Sequence, residues 1–188
     1  MPGFDHFSHL APFYDRALPF DALDSLLSYG KLSTSNLVLD AGGGTGRVAK
    51  AIKPFVRDVV IADVSGGMVI QASKKGILAL LSPVELLPFS KGQFDRILMI
   101  DALHHVNDQF ATANELWRIL APGGLILIEE PDIRSYSIKL VALVEKMALM
   151  RSHFISPPKI ADLFRPLTSD LEIKNEGTNS WIIIQKSM

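Results

Sequence analysis

The sequence predicts an α/β protein whose mostly parallel sheet is covered on both faces by helices. Three observations predict it. Short apolar runs alternate with amphipathic stretches along the chain, the pattern of strands joined by crossover helices. One such run, 37–40, breaks into Gly42-Gly43-Gly44-Thr45-Gly46 and then into helix-forming residues, which reads as strand, tight turn and helix start. Three of these runs end on or beside an acid, at Asp40, Asp63 and Asp101. The ligand crevice of an open parallel sheet lies at the carboxyl ends of its strands, so these acids should converge on one edge.

In chain order, residues 4–16 are aromatic-rich and interrupted by Pro12, giving an irregular arm that either packs on the domain or closes over a ligand. Phe20, Leu23, Leu26 and Leu27 recur at helical spacing between Pro19 and Gly30, the boundaries of a helix that covers one face of the sheet. After the strand at 37–40 and its turn comes a helix carrying Val48, Ala49 and Ile52, stopped by Pro54. The β-branched run 58–62 ends at Asp63, and Ser65 is placed to cap a helix running to about Lys75, before Gly76. A third strand is expected over 77–81, a loop over 84–95 with a turn at Lys91-Gly92, and a fourth strand over 96–100. Asn107 reads as the N-cap of a helix that buries Phe110, Ala113, Leu116, Trp117 and Leu120. Ala121-Pro122-Gly123-Gly124 turns the chain into a fifth strand, 125–128, ending at Glu129, Glu130 and Pro131.

An apolar-sided helix is expected over 135–153, and a shorter one opened by Ser156-Pro157-Pro158 and carrying Ile160, Leu163 and Phe164. A β-hairpin closes the chain, its arms 171–175 and 181–185 flanking Gly177-Thr178-Asn179-Ser180. With no repeat or low-complexity linker, the 188 residues are expected to form one domain: arm and helix over 1–35, cofactor-binding core over 36–131, and lid helix, short helix and hairpin over 132–188.

Composition removes several function classes. Lys and Arg number 19 against 20 Asp and Glu, for a formal charge of −1, so no general electrostatic footprint for nucleic acid exists. The absence of cysteine excludes disulfides, thiolate metal ligands and a cysteine nucleophile. No basic stretch with an apolar h-region opens the chain, and no run reaches the roughly 18 apolar residues of a membrane span. A cytoplasmic protein is expected, and nothing in the composition specifies its oligomeric state.

The glycine turn satisfies two cofactor classes. Gly44-Thr45-Gly46-Arg47-Val48-Ala49 fits the G-x-G-x-x-G/A dinucleotide fingerprint, and Asp63 lies at about the 20-residue distance at which an acid holds a ribose hydroxyl. Asp40, Gly42, Gly44 and Gly46 also form the acid-plus-three-glycines turn of nucleoside-binding methyltransferases. A carboxylate beside a pyrophosphate is repelled, whereas beside the ammonium and sulfonium of S-adenosylmethionine it is attracted. Asp40 therefore favours the second class.

Further motifs follow in order. They are Leu39-Asp40-Ala41-Gly42-Gly43-Gly44-Thr45-Gly46, Asp63-Val64-Ser65 with Met68, Leu87-Pro88-Phe89 with Phe94-Asp95, Ala102-Leu103-His104-His105-Val106, and a Leu-x-Arg-x-Leu-x-Pro-Gly-Gly run over 116–124. Together, over about 4–131, they resemble the class I S-adenosylmethionine-dependent methyltransferases, in particular the small-molecule branch that includes the ubiquinone and menaquinone biosynthesis C-methyltransferases.

The resemblance implies a Rossmann-like three-layer sandwich with a seven-stranded, mostly parallel sheet and an antiparallel terminal strand, and S-adenosylmethionine as cofactor. It implies that Asp40 and the Gly42 backbone, within the turn shared by Gly44 and Gly46, hold the methionine end, and that Asp63 accepts from both ribose hydroxyls. Val64 and Leu86 would sandwich the adenine, a backbone N–H near Val84 would meet its edge, Met68 belongs to the second-strand motif, and Tyr14 would close over the methionine end. Many relatives carry an Asp at about Ser82 or Pro83 for the adenine amino group; here none is present, leaving backbone and apolar contacts, with Glu85 as the alternative acid.

Methyl transfer is an in-line displacement at an already activated carbon, so positioning supplies much of the rate and only some acceptors need a base. Candidate bases are His105, His104 and Asp101, the last also counted among the cofactor-binding residues; the alternative for the histidines is one packed inward and one solvated. Adjacent histidines do not share a helix face, so no metal site is expected. The arm and the 135–153 helix are expected to build the pocket of a small-molecule acceptor, with Phe4, Phe7, Phe13, Met147 and Met150 as either its apolar lining or core. A nicotinamide (NAD)-dependent dehydrogenase and a noncatalytic S-adenosylmethionine-binding or partner-binding protein remain the other readings.

Overall fold

The computed structural model describes residues 11, 15, 20–135, 138, 139 and 153–188. The apolar runs become strands β1 (Leu37–Ala41), β2 (Asp58–Asp63), β3 (Leu78–Leu81), β4 (Phe94–Ile100), β5 (Leu120–Pro131), β6 (Leu171–Glu176) and β7 (Asn179–Gln185). They form one sheet in the order β3-β2-β1-β4-β5-β7-β6. The first five run parallel, and β7 lies antiparallel between β5 and β6. Strand order reverses at β1, which pairs with β2 on one side and β4 on the other. A crevice opens at such a switch point because the connections leave it in opposite directions.

Helices α1 (Leu23–Gly30), α2 (Arg47–Ile52) and α3 (Gly66–Lys74) bury one face of the sheet, in a core with Leu26, Val38, Ile52, Ile61, Leu98, Leu127 and Trp181. Helices α4 (Gln109–Ile119) and α5 (Pro157–Phe164) bury the other, around Leu39, Ile97, Met99, Leu116, Ile126, Phe164 and Ile182. Val38 and Leu39, or Ile126 and Leu127, point into opposite cores because side chains alternate across a strand, which is why these strands carry unbroken apolar runs rather than an alternating pattern.

Several boundaries differ from expectation for local reasons. β4 begins at Phe94, whose buried ring meets Phe89 edge-on at 4.9 Å, while the Leu37 N–H donates to Asp95 Oδ2 at 2.7 Å. β5 begins at Leu120, the expected Pro-Gly-Gly turn being absorbed as a register shift opposite Phe94 and Arg96. The cap of α4 is Asp108, which accepts from the Ala111 N–H; Asn107 instead donates its N–H to Glu85. Phe110 is 61% exposed rather than buried: it lies two residues before the buried Thr112, about 200° round the helix. The left-handed residue ending α1 is Lys31, not Gly30. The hairpin turn narrows to Gly177-Thr178, with Asn179 and Ser180 drawn into β7. Phe4, Phe7, Phe13, Tyr14, Met147 and Met150, with most of the expected arm and 135–153 helix, lie outside the described residues.

Candidate active site at the carboxyl ends of the strands

A cavity opens above β1, β2 and β4. Of the residues singled out in the sequence, Asp40, Gly42, Gly44, Asp63, Val64, Met68, Val84, Glu85, Asp101 and His105 line it, and Arg47 and Ala102 join them. Gly46, Leu86 and His104 are not among the lining residues. Gly46 packs behind the turn, where a Cβ would stand 3.0 Å from Ile61 Cδ1, and Leu86 is 75% exposed on the loop between β3 and β4.

The turn is held down on Asp40. The Gly42 N–H donates to the Ala62 carbonyl at 2.7 Å, the Gly44 N–H to Asp63 Oδ2 at 2.9 Å, and the Ser65 N–H to Asp63 Oδ1 at 2.8 Å, so Asp63 ties the first glycine loop to the second. Gly42 has φ +71°, and a Cβ there would fall 2.7 Å from Ala102 Cβ; one on Gly43 would fall 2.7 Å from the Asp40 carboxylate. Only glycine fits both places. Asp15 accepts from Thr45 Oγ1 and from Lys75, tying one described residue of the arm to the same turn.

Asp40 is 1% exposed, and neither carboxylate oxygen has a hydrogen-bond partner among the described residues. Burial pushes its carboxyl up to about 7; the Ala49 N–H, directed at the carboxylate without completing a hydrogen bond, and the Arg47 charge oppose the rise, and the Asp63 charge adds to it. A buried polar group left unpaired is costly, so an orphaned carboxyl on a cavity wall fits a ligand that brings a cation.

Asp101 closes the opposite side with φ +55°, in the left-handed region that non-glycine residues seldom occupy. Its N–H donates to the Glu129 carbonyl at 2.8 Å, and its Oδ2 lies 3.8 Å from Arg47 Nη2. Glu129 is pushed up to about 8 by burial and by the charges of Asp101 and Glu130, against the pull of Arg47 and the Asn179 amide. Sequence reasoning missed Arg47 in the cavity wall and Glu129 behind Asp101. Arg47 hid in a variable position of the glycine motif, whereas Glu129 carried the same signal as the other acids, a carboxylate ending an apolar run.

The two histidines part company. His105 reaches the cavity, and burial, then neighbouring His104, pushes its pKa down to about 3, so its imidazole is neutral at physiological pH. His104 is 2% exposed and turned away, its Nδ1 2.6 Å from Glu130 Oε2 and its ring stacked on Phe154. Of the candidate bases, His104 thus lies behind the cavity wall, buried and held by a carboxylate. Across the cavity, Glu85 Oε1 accepts from the N–H groups of Asn107 at 2.8 Å and Asp108 at 3.3 Å, while Ser82 Oγ donates to the Leu86 carbonyl. The Leu87-Pro88-Phe89 loop is bolted to α4: Arg118 donates to the carbonyls of Leu87 and Phe89 and pairs with Glu115, which accepts the Leu87 N–H. Among the described residues no His, Asp and Glu group has the makings of a metal site.

Residues 39–128 match the family described as a methyltransferase domain. Over 138 residues the chain is 33% identical to the ubiquinone/menaquinone biosynthesis C-methyltransferase of Coxiella burnetii, a match covering 61% of this chain and 55% of that protein, so the chain spans about half the length of this relative. Among solved structures, an S-adenosylmethionine-dependent methyltransferase of Thermotoga maritima superposes with a TM-score of 0.74 at 20% identity, over 96% of this chain and 98% of that one. Phosphoethanolamine N-methyltransferase 2 of Haemonchus contortus, crystallised with S-adenosyl-L-methionine, gives 0.74 at 16% identity, over 88% and 52%.

Strand order, ordered motifs and these matches make the chain similar to the class I S-adenosylmethionine-dependent methyltransferases, with residues 39–128 matching the methyltransferase-domain family itself. Within that class the sequence similarity is to the ubiquinone/menaquinone biosynthesis branch, and S-adenosylmethionine is the cofactor of the class, held by the Haemonchus structure. The dehydrogenase reading receives no support from them.

Proposed function

We propose that this chain transfers a methyl group from S-adenosylmethionine to a small-molecule acceptor with apolar surface. The observation that carries the reading is Asp40, a buried carboxyl with neither oxygen hydrogen-bonded among the described residues, beneath a glycine turn where Gly42 and Gly43 leave no room for a Cβ. In this reading Asp40 and the Gly42 backbone hold the methionine ammonium, with Gly44 and Gly46 shaping the turn and Met68 beneath it. Asp63 accepts from the ribose hydroxyls with lone pairs left over from Gly44 and Ser65. Val64 and Leu86 offer apolar surface to the adenine, with Val84 and Glu85 at its edge, and Tyr14 closes over the methionine end. Asp101 and His105 stand at the methyl end, where Arg47 offsets the acids.

The bound sulfonium supplies an activated methyl carbon. What remains for the protein is to orient the acceptor, exclude water and, where the acceptor demands it, take a proton. A neutral His105 is a weak base but a competent hydrogen-bond acceptor for an acceptor hydroxyl or amine. The named activity of the Coxiella relative supports an apolar small molecule, and the acidic lining disfavours a polyanion such as nucleic acid. No helix among the described residues is long and apolar enough to cross a membrane. One domain and a cytoplasmic setting belong to the same proposal, the latter checked by cell fractionation.

Calorimetric titration with S-adenosylmethionine, S-adenosylhomocysteine and NAD tests the cofactor, and transfer of label into a small-molecule extract, followed by mass analysis, tests the activity. Tight NAD binding with no response to the sulfonium ligand overturns the reading. Sulfonium binding without transfer to any fraction leaves a noncatalytic binder.

A further inference from the structure

Glu130 has no part in the reading above, yet it holds the segment that forms one wall of the cavity. It lies near the end of β5 and is 3% exposed. The N–H groups of Ala102 and Leu103 donate to its Oε1 at 2.9 Å and 2.6 Å, and its Oε2 lies 2.6 Å from His104 Nδ1. One side chain thereby pins three successive residues. The helical turn Leu103–His105 starts with N–H groups that need acceptors, and a neighbouring strand supplies them. The His104 ring packs between Phe154, at 4.1 Å, and His105, at 4.0 Å. At the other end of the segment, Ala102 Cβ occupies the space that a Cβ on Gly42 would need. Ala102 and His105 both line the cavity.

We propose that Glu130 is a positioning residue: through Ala102 and His104 its carboxylate sets where the His105 imidazole stands relative to the glycine turn, and with it the geometry of methyl transfer. A carboxylate suits the task because both oxygens accept, one facing the backbone and the other the ring. The consequence for methyl transfer rests on the methyltransferase reading of the cavity. The placement of His105 does not.

Glu130→Gln tests it. The amide oxygen still accepts from Ala102 and Leu103, but the NH₂ faces His104 Nδ1, which must then become an acceptor. Imidazole NMR spectra, titration with S-adenosylhomocysteine and label transfer from S-adenosylmethionine to a small-molecule extract are compared with the unaltered protein. The expected result is a shift of the His105 ring resonances and a transfer rate lower by about tenfold, with S-adenosylhomocysteine affinity held within about threefold. His104→Asn is the second variant, because its side-chain amide can still donate to Glu130 while the stacked ring is removed; it should shift His105 and slow transfer likewise. Unchanged His105 resonances and transfer rate, whatever happens to the unfolding midpoint, would overturn the proposal. If the unaltered protein neither binds S-adenosylhomocysteine nor transfers label, the methyltransferase reading fails, and the His105 resonances alone decide whether Glu130 positions that ring.

Discussion

A carboxyl enclosed as tightly as that of Asp40 is hard to ionise without a cationic neighbour, and this opposes stability to function at one residue. Its folded value of about 7 stands above the roughly 3.9 of an unfolded chain. Between those values the unfolded state has released the proton and the native state has kept it. Stability from this group is therefore fully present below about pH 4, falls as pH rises to about 7, and is flat beyond, a loss of up to about 4 kcal/mol. Asp40→Asn should remove that loss. In urea titrations the difference between variant and unaltered protein should grow from pH 4 to 7 and then level, while affinity for S-adenosylhomocysteine drops by about tenfold or more as the charge-assisted hydrogen bond is lost. A pH-independent stability difference would show that Asp40 ionises as easily as an exposed acid. Stability given up at a binding residue is a common bargain in enzymes.

The loop between β3 and β4 owes its shape to α4 rather than to its own sequence. Arg118 and Glu115, one turn apart, reach the carbonyls of Leu87 and Phe89 and the N–H of Leu87, so the Leu-Pro-Phe motif and the Leu-x-Arg-x-Leu motif are two halves of one joint. Arg118→Met should cost about 1–3 kcal/mol in denaturant unfolding, because it strips a charged donor from two carbonyls and leaves Glu115 without its cation. Hydrogen exchange at the Leu87 amide should quicken with it; unchanged exchange would mean that the loop holds itself. The same joint shows what sequence alone conveyed about elements. Both motifs were readable, but their contact was not, since residues about 30 positions apart meet only when α4 lies back across the sheet. The Asp108 cap escaped for a similar reason: Asn107 and Asp108 are equally good capping residues, and Glu85, from a distant loop, engages the Asn107 N–H.

Across the whole molecule, the cavity joins β1, β2 and β4 with the loops that follow them, so a ligand seated there adds contacts to all three loops at once. At about 100 times its dissociation constant, S-adenosylhomocysteine should stabilise the native state by about 2.7 kcal/mol. For a chain of this size that raises the unfolding midpoint by about 5–10 °C, readable by scanning calorimetry. NAD should give no comparable rise, and equal shifts with both would contradict the assigned cofactor class. The order of strands and helices and the convergence of Asp40, Asp63 and Asp101 are legible in the linear chain, because alternation of apolar runs and the place of an acid at the end of each are local patterns. Three-dimensional packing settled the division between His104 and His105, the recruitment of Arg47 and Glu129, and the exposure of Leu86 and Phe110. Those outcomes depend on which groups from remote segments arrive beside them, and a buried carboxylate such as Glu130 selects one histidine of an adjacent pair by a hydrogen bond that only the folded sheet brings within reach.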